Sequence, residues 1–404
     1  MKKLTFNVLG LSNAITSPEF CTNPFVHNTL GMCTMLKNAG HIVRHFGSEG
    51  SVVDCTEHFD MVKRSELEET YGKSFHLQKR DLNTIQESYT AELYHARAKQ
   101  TLKKVAKKGE FLLSMAGPPQ QAICDELTEH GLHVVEPAVG YGVGFCRHRV
   151  FPSYAWMHYA YSEYDGNWNI FSAEFSEEEK VNPDNYLTIA MPMWYLKPCD
   201  AVIPHYIYPD EFEVSADGHD DYLLQVSRII PNKGIEMAVR VAQHLGRKLI
   251  IAGHGDFKKS LGFDPPKCVE LVGPVLNAER KKLMQRAYCM MAWTHYIEAF
   301  GLSAVESMFS GRPVITSNWG AFAETNLHGV SGYKTPNLDS PHDTFRQTCD
   351  AVEKAGELKA EDIRQYAMDH FSIDAITPLH DAYFQRLHKY ITAQEKGEGF
   401  FHLI

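Results

Sequence analysis

Short buried strands alternate with amphipathic helices over residues 222–335, and this alternation constrains the fold more than any other feature. Residues 222–227 are predicted as a strand, and residues 235–245 follow as a helix whose apolar residues recur at helical spacing. Further strands are predicted at 247–256, 269–274 and 288–294. Strands that alternate with helices form a parallel sheet, and ligands of such sheets bind at the carboxyl ends of the strands. We therefore predict an α/β fold with a site at that edge.

Two glutamates, Glu298 and Glu306, lie eight positions apart around the start of a predicted buried helix. Glu298 is expected in the loop before the helix, and Glu306 on the helix among apolar residues at period 3.6. A carboxylate near a core is unfavourable unless it has a partner. No partner for Glu306 is evident in the sequence, which indicates a ligand that has hydroxyls to donate. The backbone N–H groups between the two glutamates favour an anion at the helix N-terminus.

The turn after the strand at 222–227 carries two cations, Arg228 and Lys233, ahead of a helix N-terminus. A guanidinium can hold two phosphate oxygens at once, whereas an ammonium acts as a point charge. This arrangement suits a diphosphate. An ordinary charged surface turn is the alternative when this segment is taken alone.

The E-x7-E spacing, with Phe-Gly-Leu inside it and Gly-Arg-Pro-Val-Ile after it, resembles the retaining glycosyltransferases of the GT-B fold, described as glycosyltransferase group 1 or family 4-like. The Arg and Lys of that family occur at the same spacing, and its strand pattern follows in order over about residues 222–335. The resemblance implies two Rossmann-like parallel-sheet domains facing a cleft, with a C-terminal helix that crosses back to the first domain. It also implies transfer of a sugar from a nucleoside-diphosphate sugar to an acceptor hydroxyl, with retention of configuration.

By position, the resemblance implies a role for each residue of these motifs. Arg228 and Lys233 would neutralise the departing diphosphate. Glu298 would contact the donor sugar, and Glu306 would accept hydrogen bonds from the ribose hydroxyls. The other implied donor-binding residues are Ala299, Phe300, Gly301 and Leu302 within the motif, and Gly253, Gly273 and Pro274 at strand ends. The implied donor is UDP-, GDP- or ADP-linked and is a substrate, so neither a cofactor nor a metal is expected.

The N-terminal half departs from the family pattern. The paired glycines of the family's first loop are replaced by Gly10 and a long loop, and its sugar-binding histidine has no counterpart. Glu136, Tyr141 and His158 are therefore candidate sugar contacts. The acceptor is an unidentified glycan, protein glycan or small molecule. These departures are typical of a divergent member, for which a viral origin is an open alternative.

A chain of 404 residues is long enough for two domains. We predict an acceptor-side domain over 1–212, a nucleotide-sugar-binding domain over 213–375 and a C-terminal helix within 376–404 that packs on the first domain. Residues 57–95 are polar and helical in pattern, and are predicted to form an insertion over the edge of the first domain.

The net charge of −10 argues against nucleic acid as a partner. The cations of the basic segment 97–108 are interpreted as the solvent-exposed face of a helix. The alternative is a binding patch for an acidic acceptor or an anionic surface. The nine cysteines are scattered, which favours a reducing, cytoplasmic location. No apolar run approaches the roughly 20 residues that span a bilayer.

Two other functions remain open at this stage. A sugar-nucleotide epimerase or hydrolase on the same scaffold would need a general base, for which Glu136 or His158 could serve. A non-catalytic module would bind the nucleotide sugar without turning it over.

Overall fold

The computed structural model describes residues 2–20, 23–73, 88–142, 144–164, 199–336 and 340–396. The chain divides into two compact units, of which the first comprises Met1–Phe151, Met157–Ile203 and Thr377–Ile404 and the second Pro152–Trp156 and Pro204–Ile376. The predicted strands and helices of residues 222–335 are confirmed, and the domain limits stay a prediction.

The strands are β1 (Thr5–Leu9), β2 (Ile42–Ser48), β3 (Glu57–Val62), β4 (Phe111–Ser114), β5 (His133–Glu136), β6 (His148–Phe151), β7 (Ala201–Val202), β8 (Tyr222–Val226), β9 (Lys248–Ala252), β10 (Val269–Gly273), β11 (Cys289–Ala292), β12 (Val314–Ser317) and β13 (Gly332–Thr335). The helices are α1 (Pro24–Asn38), α2 (Arg64–Tyr71), α3 (Tyr89–Val105), α4 (Gln121–Glu129), α5 (Tyr154–Tyr164), α6 (Ile235–Leu245), α7 (Phe257–Leu261), α8 (Asn277–Arg286), α9 (Leu302–Phe309), α10 (Phe322–Thr325), α11 (Pro341–Lys354), α12 (Ala360–Phe371) and α13 (Ile373–Glu395).

Within the described residues, the first unit holds a seven-stranded sheet in the order β3-β2-β1-β4-β5-β6-β7. All of its strand pairs are parallel. The central strands β1 and β4 are almost wholly buried, as expected for a parallel sheet that is covered on both faces. Asn7, a fully buried polar residue within β1, donates to the carbonyl of Phe111 at 3.1 Å and so ties the two central strands together.

The interpretation of residues 57–95 as a helical insertion is wrong at its start, because Glu57–Val62 is the edge strand β3. Its outer residues are partly exposed, so polar side chains occur where a central strand would be apolar. Phe59 stacks on Phe46 of β2 with ring centroids 5.0 Å apart, which anchors the strand to the core. Residues 74–87 of the predicted insertion lie outside the described residues.

The C-terminal helix is confirmed as α13, which belongs to the first unit from Thr377 onward. Phe384 packs edge-on against Phe6 of β1, with ring centroids 4.7 Å apart. Asp381 lies 3.1 Å from the Nε2 atom of His41 in a buried pair. The last helix therefore closes one face of the first sheet.

Acid is expected to destabilise the first unit through its buried histidines. Burial lowers the pKa of His380 to about 4 and that of His45 to about 3. The unfolded chain takes up the proton near pH 6.5, so each histidine's stabilisation is present above about pH 6.5 and is lost as the pH falls toward its folded pKa. Between about pH 6.5 and pH 4, His380→Leu should reduce the slope of the unfolding free energy by about 1.4 kcal/mol per pH unit.

Denaturant titrations across this pH range would measure that slope. The matched control is His130→Leu at an exposed position, which should leave the slope unchanged. Equal slopes for the His380→Leu variant and the unaltered protein would show that His380 is not the titrating group.

The second unit holds, within the described residues, a six-stranded sheet in the order β10-β9-β8-β11-β12-β13. All of its pairs are parallel, and β8 is flanked by β9 on one side and β11 on the other. The chain runs outward from β8 to β10 and then returns to the opposite side of β8 at β11. The order of the strands therefore reverses between β8 and β11, where ligands of open α/β sheets bind beyond the carboxyl ends.

Candidate functional site

The two loops at this reversal carry the predicted charged residues. Arg228 and Lys233 follow β8, and Glu298 follows β11. The two loops are joined directly, because the N–H of His295 donates to the carbonyl of Asn232 at 3.0 Å. The sheet topology therefore brings together side chains that are about 65 residues apart in sequence.

Lys233, Tyr296 and Glu298 form a compact polar cluster. The Nζ of Lys233 donates to Oε2 of Glu298 at 2.8 Å, and it also contacts the hydroxyl of Tyr296. That hydroxyl donates to the same carboxylate oxygen at 2.6 Å. The side chains of Lys233 and Glu298 are 17% and 15% exposed, so the ion pair is partly shielded yet reachable from solvent. Burial, followed by the negative charge of Glu298, raises the pKa of Tyr296 and keeps it a neutral donor.

Arg228 differs from Lys233 in having no protein partner. Its side chain is exposed, and no hydrogen bond or ion pair joins its guanidinium to any described residue. Its charge nevertheless acts on Tyr296, where it lowers the pKa against the effect of burial. A cation without a partner beside a shielded Lys–Glu pair is free to receive an anion.

Buried contacts fix the turn that carries the two cations. Gln225, a polar residue inside β8, donates to the carbonyl of Lys233 at 2.7 Å. Gly234 has a φ of +62°, which favours glycine. A Cβ atom at Gly234 would lie 2.3 Å from the carbonyl oxygen of Trp293, so only glycine lets the turn approach the end of β11.

The N-terminus of α9 leaves several donors unused. The N–H groups of Ala299, Phe300, Gly301, Leu302 and Ser303 donate to no acceptor in the described part of the chain. Gly301 caps the helix with a φ of +85°, and its Cα lies against the ring of Phe322. The free amides predicted from the sequence are therefore present beside Glu298.

Glu306 lies on α9 as predicted, but the expectation that the protein offers it no partner is wrong. Oε1 of Glu306 lies 3.0 Å from Nη2 of Arg280 on α8. The Glu306 side chain is only 10% exposed, and its second oxygen, Oε2, has no partner among the described residues. Burial raises the pKa of Glu306, and Arg280 opposes that effect.

The predicted strand-end residues also lie at this edge of the sheet. The N–H of Gly253 donates to the carbonyl of Gly273 at 2.8 Å. A Cβ atom at Gly253 would lie 1.7 Å from the carbonyl oxygen of Ser227, so the loop after β9 can approach the loop after β8 only with glycine there. Pro274 is exposed directly after β10. The roles predicted for these residues stay predictions.

The three candidates of the first unit fall in two places. Glu136 is fully buried, where its carboxylate accepts from the hydroxyl of Tyr141 at 2.7 Å and from the N–H groups of Phe145 and Cys146 at 2.9 and 2.8 Å. Burial raises the pKa of Glu136. These bonds hold the loop after β5 in place, whereas His158 lies exposed on α5. Contact of the three with a sugar remains a prediction.

Sequence reasoning did not single out Tyr296, Gln225, Arg280 or Glu324. Gln225 carried a usable signal, since it is a polar residue inside an otherwise apolar strand. Glu324 accepts hydrogen bonds from the N–H groups of Tyr154 and Ala155, at 2.9 and 2.8 Å, and so binds the first turn of α5. No pattern in the sequence predicts the contact between Glu324 and α5.

The described residues contain no group of three or more His, Cys, Asp or Glu side chains arranged to hold a metal ion. None of the helices in the described ranges is both long and apolar enough to cross a membrane. Metal independence stays a prediction.

The second unit matches a known sequence family. Residues 209–368 match the family described as Glycosyl transferases group 1. An uncharacterised glycosyltransferase of Methanocaldococcus jannaschii is 30% identical over 131 residues, which cover 30% of this chain and 33% of that protein. The glycogen synthase of Mycobacterium tuberculosis is 32% identical over 120 residues, which cover 27% of this chain and 29% of the synthase. These alignments span about a third of the relatives' length.

Solved structures resemble the whole chain. AviGT4, a glycosyltransferase involved in avilamycin A biosynthesis, has a TM-score of 0.59 at 16% identity and covers 96% of this chain and 98% of its own. Sucrose-phosphate synthase from Thermosynechococcus elongatus has a TM-score of 0.58 at 15% identity, with 96% and 100% covered. HepE of Anabaena, in complex with UDP-glucose, has a TM-score of 0.56 at 13% identity, with 95% and 99% covered.

These likenesses establish the fold, which is GT-B. Within that fold, residues 209–368 match the glycosyl transferases group 1 family. The predicted fold class and the resemblance to GT-B glycosyltransferases are confirmed.

Proposed function

We propose that this protein is a glycosyltransferase that moves a sugar from a nucleoside-diphosphate sugar to an acceptor hydroxyl, with retention of configuration. The observation that carries this proposal is the arrangement at the strand reversal of the second unit. There, the Lys233–Glu298 pair, the partnerless Arg228 and the free amides of α9 surround one edge of the sheet. Cations and free N–H groups bind a diphosphate, and a carboxylate among them binds hydroxyls.

The class of donor is supported by two further findings. The group 1 match covers the residues that form this site. HepE, which shares the fold, was solved with UDP-glucose and with UDP. We accordingly propose a UDP-, GDP- or ADP-linked sugar as the donor and an unidentified glycan, protein glycan or small molecule as the acceptor.

The proposed mechanism distributes the developing charges over named residues. Departure of the diphosphate leaves negative charge, which Arg228, Lys233 and the α9 amides stabilise. Lys233 also donates to Glu298. The same lysine therefore binds the leaving diphosphate and fixes the carboxylate of Glu298, which orients the sugar. The acceptor hydroxyl attacks the anomeric carbon on the face from which the diphosphate departs. The bond between that carbon and the diphosphate oxygen breaks, and the hydroxyl proton passes to an oxygen of the departing diphosphate. Two cations in place of a metal fit activity without divalent ions, and the scattered cysteines of the sequence favour a cytoplasmic location.

Nucleotide binding is the first test. UDP, GDP, ADP and their sugars are added singly, and the unfolding temperature is recorded. The ligand present at 100 times its dissociation constant should stabilise the protein by about 2.7 kcal/mol. Glu306→Ala should abolish this response, whereas Glu279→Ala, at an exposed glutamate on α8, should keep it.

Turnover then separates the proposed function from its alternatives. The responding nucleotide sugar is incubated with candidate acceptors, with and without EDTA, and the anomeric configuration of the product is read by NMR. A glycoside of retained configuration, formed equally in EDTA, is expected. Consumption of the donor without a glycoside would favour a hydrolase or epimerase. Binding without consumption would favour a non-catalytic module, and no binding of any nucleotide would overturn the proposal.

A further inference from the structure

The Arg280–Glu306 ion pair is a partly buried charge pair, and the function proposed above gives Arg280 no role. Nη2 of Arg280 lies 3.0 Å from Oε1 of Glu306, and the two side chains are 24% and 10% exposed. Oε2 of Glu306 and Nε of Arg280 are buried with no hydrogen-bond partner among the described residues. Buried polar atoms are normally bonded, so an open carboxylate oxygen in this place indicates an absent partner.

Among the charged groups around Glu306, Arg280 has the largest effect on the pKa of its carboxylate. Burial raises the pKa of Glu306 most, Arg280 lowers it, Glu211 raises it and Lys281 lowers it least. Lys281 and Glu211 pair with each other at 2.8 Å, so their effects on Glu306 largely cancel. Arg364, on the neighbouring helix α12, donates instead to backbone carbonyls. Arg280 is therefore the cation in contact with the carboxylate.

We propose that Arg280 is a positioning residue for the nucleotide, because its guanidinium holds one carboxylate oxygen of Glu306 while the other oxygen stays open to a ribose hydroxyl. This inference rests on the proposed function, in which Glu306 binds the ribose. Rotation about the last side-chain bond of a glutamate is soft, so a carboxylate that is held at one oxygen can turn the other toward a ligand. An ionised carboxylate accepts a hydroxyl's hydrogen bond more strongly than a protonated one does.

The test measures the affinity for the nucleoside diphosphate that stabilises the unaltered protein most, from about pH 5 to about pH 8. Arg280→Gln removes the cation and should raise the pKa of Glu306 further. Its affinity should then fall by about tenfold for each pH unit below that raised pKa and recover as the pH rises. Arg280→Lys keeps a cation and should follow the unaltered protein. The matched control, Lys282→Gln, removes an exposed cation of the same helix that does not act on Glu306, and it should also follow the unaltered protein.

Folding of each variant is checked by its melting temperature. If Arg280→Gln does not fold, Arg280→Met, which keeps the apolar part of the side chain, replaces it and should show the same loss of affinity at low pH. A pH profile for Arg280→Gln that superimposes on the unaltered protein's would overturn this inference alone. So would a loss of affinity that is the same at every pH, which indicates a structural role. Absence of any nucleotide response in the unaltered protein would overturn the proposed function as well.

Discussion

Lys233→Met should lower kcat by about 10²-fold to 10³-fold, the usual effect of removing one preorganised charge-stabilising donor. Methionine keeps most of the length of the side chain but removes the ammonium that joins Glu298 and Tyr296. In the proposed mechanism the variant loses a counter-charge for the leaving diphosphate and the contact that fixes Glu298. Steady-state kinetics with the donor identified by the binding screen would measure this effect.

The matched control for that experiment is Lys248→Met. Lys248 pairs with Glu270 between the exposed ends of β9 and β10, with side chains 52% and 47% exposed. Its replacement should leave kcat unchanged, because exposed ion pairs contribute little. An unchanged kcat in Lys233→Met would remove Lys233 from the reaction and leave Arg228 as its only cation within the described site.

Arg149→Met should lower the free energy of unfolding by about 3–5 kcal/mol, because it leaves a buried carboxylate without its cation. The side chains of Arg149 and Asp200 are each 2% exposed, and Nη2 of Arg149 lies 2.8 Å from Oδ2 of Asp200. The hydroxyl of Tyr161 donates to the same oxygen at 2.8 Å. The pair therefore joins β6 to the segment before β7 at the edge of the first sheet.

Denaturant unfolding of the variant would measure this loss. The control is Arg64→Met, at an exposed ion pair with Glu68 on α2, which should change stability by no more than about 0.5 kcal/mol. A comparably small change in Arg149→Met would mean that Asp200 becomes hydrated when the arginine is removed.

The sequence predicted the second sheet well because its central strands are buried on both faces. Such strands are continuous apolar runs, and the apolar residues of the helices between them recur every 3.6 residues. Both patterns can be recognised in the sequence without knowledge of long-range contacts. The edge strand β3 was missed because one exposed face interrupts its apolar run. A partly exposed strand therefore lacks the continuous apolar run from which buried strands are predicted.

The sequence predicted the site residues that lie in motifs at the ends of neighbouring strands. It did not predict the residues whose position depends on how a helix is rotated about its axis. Lys233 and Glu298 follow neighbouring strands, so the strand order alone brings them together. Arg280 is the first of three consecutive cations on α8, and only the packing of that helix determines which one faces Glu306. The binding of Glu324 to the start of α5 depends in the same way on long-range packing.

Neither unit is a continuous piece of chain, and this has a consequence for expressing the second unit alone. A fragment that starts at Pro204 would lack the peptide Pro152–Trp156, which belongs to that unit. Without the peptide, Glu324 would lose two N–H donors, and the carbonyl of Ala299 would lose the hydroxyl of Ser153, which donates to it at 2.8 Å. A fragment that begins there would expose the surface on which those five residues normally pack. Adding them back as a synthetic peptide would then be an experiment in complementation, with the loop at Ala299 as its reporter.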